Sequence, residues 1–321
     1  MIISYRKAPK MIILAPVYED CSAALRLCAE LVLNLGDQFL LVIVEDGSIE
    51  RRLSGQQLGQ FGVEAHLVVL KANMGHQQAI AIGLSYIEEN LNLEVPVVVM
   101  DSDGEDKPSS ISSLVDAVQD EDVDIAVAQR SQRSERVSFR VFYSLYKLLF
   151  VLLSGKRIDF GNFMAISPFA LRRLVTMQAP WMHLASSTLI SKLRIKKVQT
   201  ARGERYAGFS KMNFTSLSLH GFKAMMVFAE NVLVRVATTC AVIAVLSLAS
   251  MSLAICLKLF GFATPGWFSL ALGLLFLVFL QTGTLTLLTL MLSGSVNKAL
   301  PPRKAYLGYV ESLEIVNKIE V

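Results

Sequence analysis

The stretch Val95-Pro96-Val97-Val98-Val99-Met100-Asp101-Ser102-Asp103 decides the fold of this chain. A short apolar run dominated by valine reads as a strand buried on both faces, the kind that fills parallel sheets. It ends in two carboxylates one residue apart. In an open parallel sheet ligands bind beyond the carboxyl ends of the strands, so the acidic pair falls where a site would form. Two carboxylates so spaced can face one hard divalent cation, which in turn neutralises a bound diphosphate. An acidic loop can equally be no more than solvated surface, so the reading depends on what surrounds it.

Working outward, further strand-like runs occupy 11–17, 40–44, 66–70 and 124–129, with helix-compatible segments at 21–35, 76–90 and 108–119 between most of them. This alternation predicts an α/β fold, a mostly parallel sheet with helices on both faces. The residues just past the strands are Tyr18-Glu19-Asp20, Glu45-Asp46-Gly47-Ser48, Lys71-Ala72-Asn73-Met74-Gly75 and Arg130. Polar groups therefore converge at one end of the expected sheet.

The 321 residues are 53% hydrophobic, too apolar for an ordinary soluble protein of this size. Val236–Leu257 runs 22 residues without a charge and Leu259–Asn297 runs 39, with Lys258 alone between them. At the helical rise the first run is about 33 Å long, roughly one bilayer core. Two spans, 234–257 and 267–292, form a hairpin turned at Gly261, Pro265 and Gly266. Arg235 before it and Lys298, Arg303 and Lys304 after it predict that the main domain and both termini are cytoplasmic, at a bacterial-type inner membrane. Residues 137–153 are apolar but carry Arg140 and Lys147, and read as a helix lying on the head groups; 213–231 read as a second, amphipathic one. A packed core helix is the alternative for both. The run 11–17 reads as a strand, not a signal peptide. The domain expectation is thus a catalytic domain at 1–212 that includes helix 137–153, a juxtamembrane helix at 213–231, the hairpin at 232–293, and a cytoplasmic tail at 294–321.

The net charge of +4 hides an uneven distribution. Residues 1–130 carry 9 basic and 20 acidic side chains, and residues 131–230 carry 16 and 4. An acidic third that could hold cations precedes a basic block that could meet phosphates or lipid head groups. The cysteines at 21, 28, 240 and 256 form no C-x-x-C pair, and no H-E-x-x-H, G-x-S-x-G, P-loop or G-x-G-x-x-G motif occurs. Disulfide scaffold, zinc site, serine hydrolase, P-loop and dinucleotide readings therefore fall away, and no nucleic-acid partner is expected. Asn213-Phe214-Thr215 matches a glycosylation sequon that would face the cytoplasm, and is read as chance.

Six motifs in order resemble the GT-A glycosyltransferases of family 2, and among them the polyprenyl-phosphate sugar transferases of the dolichyl-phosphate mannose synthase and GtrB type. They are Ala15-Pro16-Val17-Tyr18-Glu19-Asp20; Glu45-Asp46-Gly47-Ser48; Asn73-Met74-Gly75; Asp101-Ser102-Asp103-Gly104-Glu105; Arg130; and Arg202-Gly203-Glu204-Arg205-Tyr206-Ala207-Gly208-Phe209-Ser210-Lys211. The resemblance covers residues 10–230, and the C-terminal hairpin is also carried by GtrB-like members. It implies a GT-A fold and inverting transfer of a sugar from a nucleotide-sugar donor, UDP-linked by expectation, to a polyprenyl phosphate for cell-surface glycan synthesis. By the same resemblance Pro16, Tyr18, Asp20, Glu45, Asp46 and Asn73 form the nucleotide pocket, with Asp101 and Ser102 beside it. Asp101, Asp103 and Glu105 hold Mg²⁺ or Mn²⁺, and Arg205, Ser210 and Lys211 grip phosphate. Asp159, Arg130 and Arg202 are the candidates for the catalytic step.

Four positions depart from the family pattern: Glu45 for an Asp, Glu105 with Lys107 for Gln and Pro, and Asn162 for the second Asp of D-x-G-D-F. The last matters because a hydroxyl acceptor needs a general base, whereas a lipid phosphate is already anionic at neutral pH. Two alternatives stay open: a family 2 transferase with a hydroxyl acceptor, and an inactive relative that binds nucleotide sugar or lipid. Processive synthases are disfavoured, because neither Trp181 nor Trp267 is preceded by Arg as in a Q-x-x-R-W motif. Gly273 and Gly283 offer close-approach positions for self-association of the hairpin, so a homo-oligomer is expected.

Overall fold

The structure, a computed structural model, describes residues 9–91, 94–130, 137–206, 214–262, 266–293 and 305–317. In chain order the elements are β1 (Met11–Val17), α1 (Cys21–Leu35), β2 (Phe39–Glu45), α2 (Gly55–Gly59), β3 (Ala65–Leu70), α3 (His76–Asn90), β4 (Val97–Val99), α4 (Ile111–Val118) and β5 (Ile125–Arg130). They continue with α5 (Val137–Ser154), β6 (Met164–Ile166), α6 (Pro168–Val175), α7 (Leu184–Ile190), β7 (Ile195–Thr200), α8 (Phe214–Met226), α9 (Ala229–Leu259), α10 (Trp267–Ser293) and β8 (Val310–Val316).

The strands form one sheet in the order β7-β5-β6-β4-β1-β2-β3-β8. The pairs β1–β2, β1–β4, β2–β3 and β5–β7 are parallel, while β6 runs antiparallel to both β4 and β5, and β8 antiparallel to β3. The mostly parallel α/β sheet is the expected one. Every residue of β1, β2 and β3 is buried, as it must be where both faces are covered. Alternate side chains divide the core. Ile13, Ala15, Leu41 and Ile43 pack with Leu27 and Leu31 of α1 on one face; Ile12, Leu14, Val42 and Val44 pack with Ile80 and Ile87 of α3 on the other.

Register brings the site together. Val17 pairs with Glu45, Glu45 with Val69, and Leu14 with Val99, so the loops after β1, β2, β3 and β4 leave the sheet side by side. The chain passes from β1 to β2 on one side and returns to β4 on the other, which makes the β1/β4 boundary a switch point where a crevice opens.

The chain divides into two compact units, one of Met1–Arg136, Ile158–Val227 and Leu300–Val321, the other of Val137–Arg157 and Phe228–Ala299. This changes three expected boundaries. Helix 137–153 belongs with the apolar helices, not with the sheet: in that second unit Phe150 meets Phe228 edge-on at 5.7 Å, and Arg235 Nη1 donates to Leu152 O. The helix expected over 213–231 breaks between Met226 and Ala229, where Phe228 turns inward and is buried. The 294–321 segment is not simply a tail, because its residues Val310–Val316 form edge strand β8.

Within the second unit α9 and α10, of 31 and 27 residues, are long and apolar enough to form a transmembrane hairpin. Val242, Leu246, Leu253, Leu270 and Leu277 are exposed along them. Several of their hydroxyls are satisfied within the helix: Thr238, Ser252, Thr284 and Thr289 each donate to the carbonyl four residues back.

Candidate active site

The loop after β4 carries the acidic pair into the crevice and is held from below. Ser102 Oγ donates to Pro16 O at 3.1 Å, and Asp101 N donates to Asp106 Oδ2 at 2.9 Å, with Asp106 itself buried. The side chains of Asp101 and Asp103 remain partly exposed. Asp103 Oδ1 accepts from Glu105 N at 3.0 Å, which curls the loop so that Asp103 and Glu105 face the segment 202–206.

That segment brings two arginines. Arg205 Nη2 lies 2.8 Å from Asp103 Oδ2, Arg205 Nε 3.0 Å from Glu105 Oε1, and Arg202 Nη2 2.6 Å from Glu105 Oε2. Burial would raise the Glu105 carboxyl, but the Arg202 and Arg205 hydrogen bonds outweigh it and hold the group below its usual range. Asp103 goes the other way: burial raises it, the neighbouring carboxylates add to that, and Arg205 with the Glu105 amide offsets only part.

The expected nucleotide side divides into wall and support. Tyr18 is exposed at the end of β1 and Asp20 stands at the start of α1. Glu45 is fully buried, and both its oxygens accept from Ser48 N, at 3.1 and 3.2 Å. Asp46 is also buried, its oxygens accepting from Met74 N at 2.7 Å and Gly75 N at 2.9 Å. Burial raises the Asp46 carboxyl and these two amides pull it back. Asp46 thus fastens the β3–α3 loop that carries the exposed Asn73.

Two residues escaped the sequence reading. Glu19, in a left-handed conformation with φ 50°, accepts from the amides of Ile49, Glu50 and Arg51 and so shapes the loop after β2. Its signal was its place next to Tyr18, but a side chain binding backbone leaves no mark in a motif. His76, the first residue of α3, has Nε2 3.3 Å from Asp101 Oδ1 and 3.2 Å from Asn162 Nδ2. Burial lowers the His76 imidazole, but Asp101, Asp103 and Asp46 outweigh this and raise it. One nitrogen cannot both donate to Asp101 and accept from the Asn162 amide. Turning that amide, whose Oδ1 is buried without a hydrogen-bond partner, lets His76 Nε2–H face both oxygens.

Asp159 is held by Lys197 Nζ at 2.7 Å and Gln129 Nε2 at 2.9 Å, both on Oδ2. Its other oxygen is buried without a hydrogen-bond partner. Arg130 ends β5, its backbone in register with Thr200. Ser210 and Lys211 lie outside the described residues.

Asp101, Asp103 and Glu105 supply the hard oxygen donors that Mg²⁺ or Mn²⁺ takes. The donor chemistry fits a metal, but the arrangement is closed: among the described residues no three carboxylate, histidine or cysteine groups are gathered for one. Arg205, expected to grip phosphate, and Arg202, expected at the catalytic step, both pair with the acidic loop in this structure.

With this geometry in view, the comparisons with known proteins are consistent. The family model described as Glycosyl transferase family 2 matches residues 12–177. Glucosyl-3-phosphoglycerate synthase from Mycobacterium tuberculosis in complex with uridine diphosphate is 14% identical over 70% of this chain and 80% of that one, with a TM-score of 0.50. A structure described as a mycobacterial protein is 14% identical over 70% and 74%, also at 0.50. The same synthase with Mn²⁺, uridine diphosphate and glucosyl-3-phosphoglycerate is 16% identical over 71% and 80%, at 0.49. At such identities the likeness is one of fold, and it agrees with the GT-A arrangement of the sheet. No curated protein matches the chain.

Proposed function

The chain belongs to glycosyl transferase family 2, and we propose that it transfers a sugar from a nucleotide-sugar donor, UDP-linked, to a polyprenyl phosphate at the cytoplasmic face of a membrane. The observation that carries this reading is the acidic loop 101–106 at the β1/β4 switch point, in a chain that also carries a pair of long, exposed apolar helices, α9 and α10. A soluble donor needs only the first; a lipid acceptor explains the second.

Tyr18 and the loop after β2 suit a nucleoside, and Asp101 and Asp103 suit a divalent cation on the diphosphate. When bound, that cation stabilises the leaving nucleoside diphosphate. A phosphate oxygen of the acceptor attacks the anomeric carbon from the opposite side, the bond from that carbon to the diphosphate breaks, and configuration inverts. No proton has to be removed, because a phosphate monoester is anionic at neutral pH. The protein's side of the reaction agrees: Asn162 cannot take a proton, and Asp159 Oδ2 is committed to Lys197 and Gln129.

The apolar helices would anchor the enzyme, with helix α5 at the head groups and the basic residues of 131–230 attracting acceptor phosphate. The product would be a lipid-linked sugar for the cell surface. A second reading, transfer to a hydroxyl, is favoured by one observation, the buried Asp159 Oδ1 without a partner. Purified full-length protein with undecaprenyl phosphate, Mn²⁺ and a panel of UDP- and GDP-sugars tests both. Release of nucleotide only when the lipid phosphate is present supports the proposal. Release with the dephosphorylated polyprenol as acceptor, or with no acceptor lipid at all, contradicts it.

A further inference from the structure

The segment Arg202–Tyr206 is fitted to the acidic loop by more than its two arginines. Its backbone runs antiparallel to that loop: Gly203 N donates to Glu105 O and Tyr206 N to Asp103 O, each at 2.9 Å, and Asp106 bridges Arg202. The two backbones approach so closely that a Cβ on Gly203 would lie 2.0 Å from Gly104 O, and a Cβ on Gly104 2.8 Å from the Tyr206 ring. No side chain fits at either position. The far end is latched, with Tyr206 OH donating to Glu30 Oε2 at 2.8 Å and the Arg26 guanidinium 4.6 Å from the centre of the Tyr206 ring.

This strap sets two guanidiniums against two carboxylates that the donor site needs. A divalent cation cannot settle on Asp103 Oδ2 while a guanidinium nitrogen sits 2.8 Å from the same oxygen. Nor can a diphosphate approach Arg202 and Arg205 while both face Glu105. Metal alone would strand two arginines beside an added dication. Diphosphate alone would strand two carboxylates beside an added anion. Each half of the change is opposed by charge in a partly desolvated site, and only the two together leave every charge paired.

We propose that Arg202–Tyr206 is an internal counter-cation: in the free protein it covers Asp103 and Glu105, and the donor's metal–diphosphate exchanges the pairs. The cation takes the carboxylates and the arginines take diphosphate oxygens, in the bidentate geometry that guanidinium favours. This rests on the nucleotide-sugar reading above, not on the identity of the acceptor. Its consequence is strong mutual dependence between metal and nucleoside diphosphate binding, with weak metal binding in the absence of nucleotide.

The test is calorimetric titration of Mn²⁺ into the full-length protein in detergent, with and without saturating UDP. In the native protein UDP should tighten Mn²⁺ by about tenfold or more, within the range usual for coupled sites. In Arg205→Gln, Mn²⁺ without UDP should bind several times more tightly than in the native protein, while the tightening by UDP shrinks. Gly203→Ala, which keeps both arginines but cannot seat the strap, should shift Mn²⁺ alone in the same direction. A damaged fold would weaken metal binding, so a gain is diagnostic. Unchanged or weaker Mn²⁺ binding in both variants, with the UDP effect intact, would overturn the proposal. The two readings fail separately: transfer to lipid phosphate without the Mn²⁺ gain removes the strap, and the gain without transfer to lipid phosphate removes the acceptor.

Discussion

Two late segments of the chain return to the early half of the sheet, and they are held in opposite ways. Arg202–Tyr206 meets the loop after β4 through ion pairs and two glycine contacts, beside the site. Residues 305–316 meet the far edge through a strand ladder and a buried ring cluster. There β8 pairs from Ala65↔Val316 to Leu70↔Val310, Glu314 accepts from Gly55 N, and Arg52 pairs with Glu311. Tyr306, buried, receives Asn90 Nδ2 on its hydroxyl at 2.7 Å and meets Tyr86 edge-on, and Tyr86 OH bonds His66 Nδ1 at 2.7 Å. A ladder of amides has no competitor in the cell. An ion pair has one whenever a metal or a phosphate arrives. The first contact is therefore exchangeable and belongs to function, while the second is permanent and belongs to stability. It also closes the catalytic unit with chain from both sides of the apolar hairpin.

Variants can break this contrast. The largest effect is expected from Asp103→Ala, which should lower nucleotide release from the sugar donor by about a thousandfold, the scale of losing a principal electrostatic group at a leaving oxygen. Its melting temperature should stay near that of the native protein. Tyr306→Ala should do the reverse, costing about 3–5 kcal/mol of stability through the cavity left by a buried ring, while UDP-dependent Mn²⁺ affinity is retained in the folded fraction. Denaturant unfolding in detergent measures the first and calorimetry the second.

The next effect is a pH dependence at the permanent contact. Burial pushes the His66 imidazole down to about 4 from an ordinary 6.5, so the folded state holds it neutral. Its contribution is complete above pH 6.5 and is lost as pH falls from there through 4, because the unfolded chain binds the proton first. The loss should reach up to about 3 kcal/mol and should disappear in His66→Gln. The smallest effect is expected from Arg205→Gln on stability, under about 1 kcal/mol, because a third of the side chain is exposed and solvent screens the pair. A large loss there would mean that the strap is structural and would erase the contrast.

The sheet was legible because its strands are continuous apolar runs. Strands β1, β2, β3 and β5 lie within one residue of the expected bounds, and β4 begins only after Pro96, which has no amide to give a ladder. Strand β8 was not legible: in Val-Glu-Ser-Leu-Glu-Ile-Val the glutamates sit at an exposed edge, and its partner lies more than 200 residues away. Asp101, Asp103 and Glu105 were found from their place after a strand. What they face was not, because the attraction between residues 103 and 205 leaves no periodicity. Asp46 shows the converse, a motif carboxylate whose visible work is to hold two amides of the next loop. His76 and Glu19 needed coordinates, since a single histidine at a helix start and a glutamate after a strand are common surface features.

Whether the acceptor is a lipid phosphate is decided by the bond in the product. Mass spectrometry of the lipid formed by the purified protein from undecaprenyl phosphate and its preferred nucleotide sugar should give a mass increased by one sugar residue, with a single phosphate bridging sugar and lipid and no second phosphate. Recovery of the undecaprenyl phosphate with no sugar added while nucleotide is released, or a product carrying a diphosphate bridge, would contradict it.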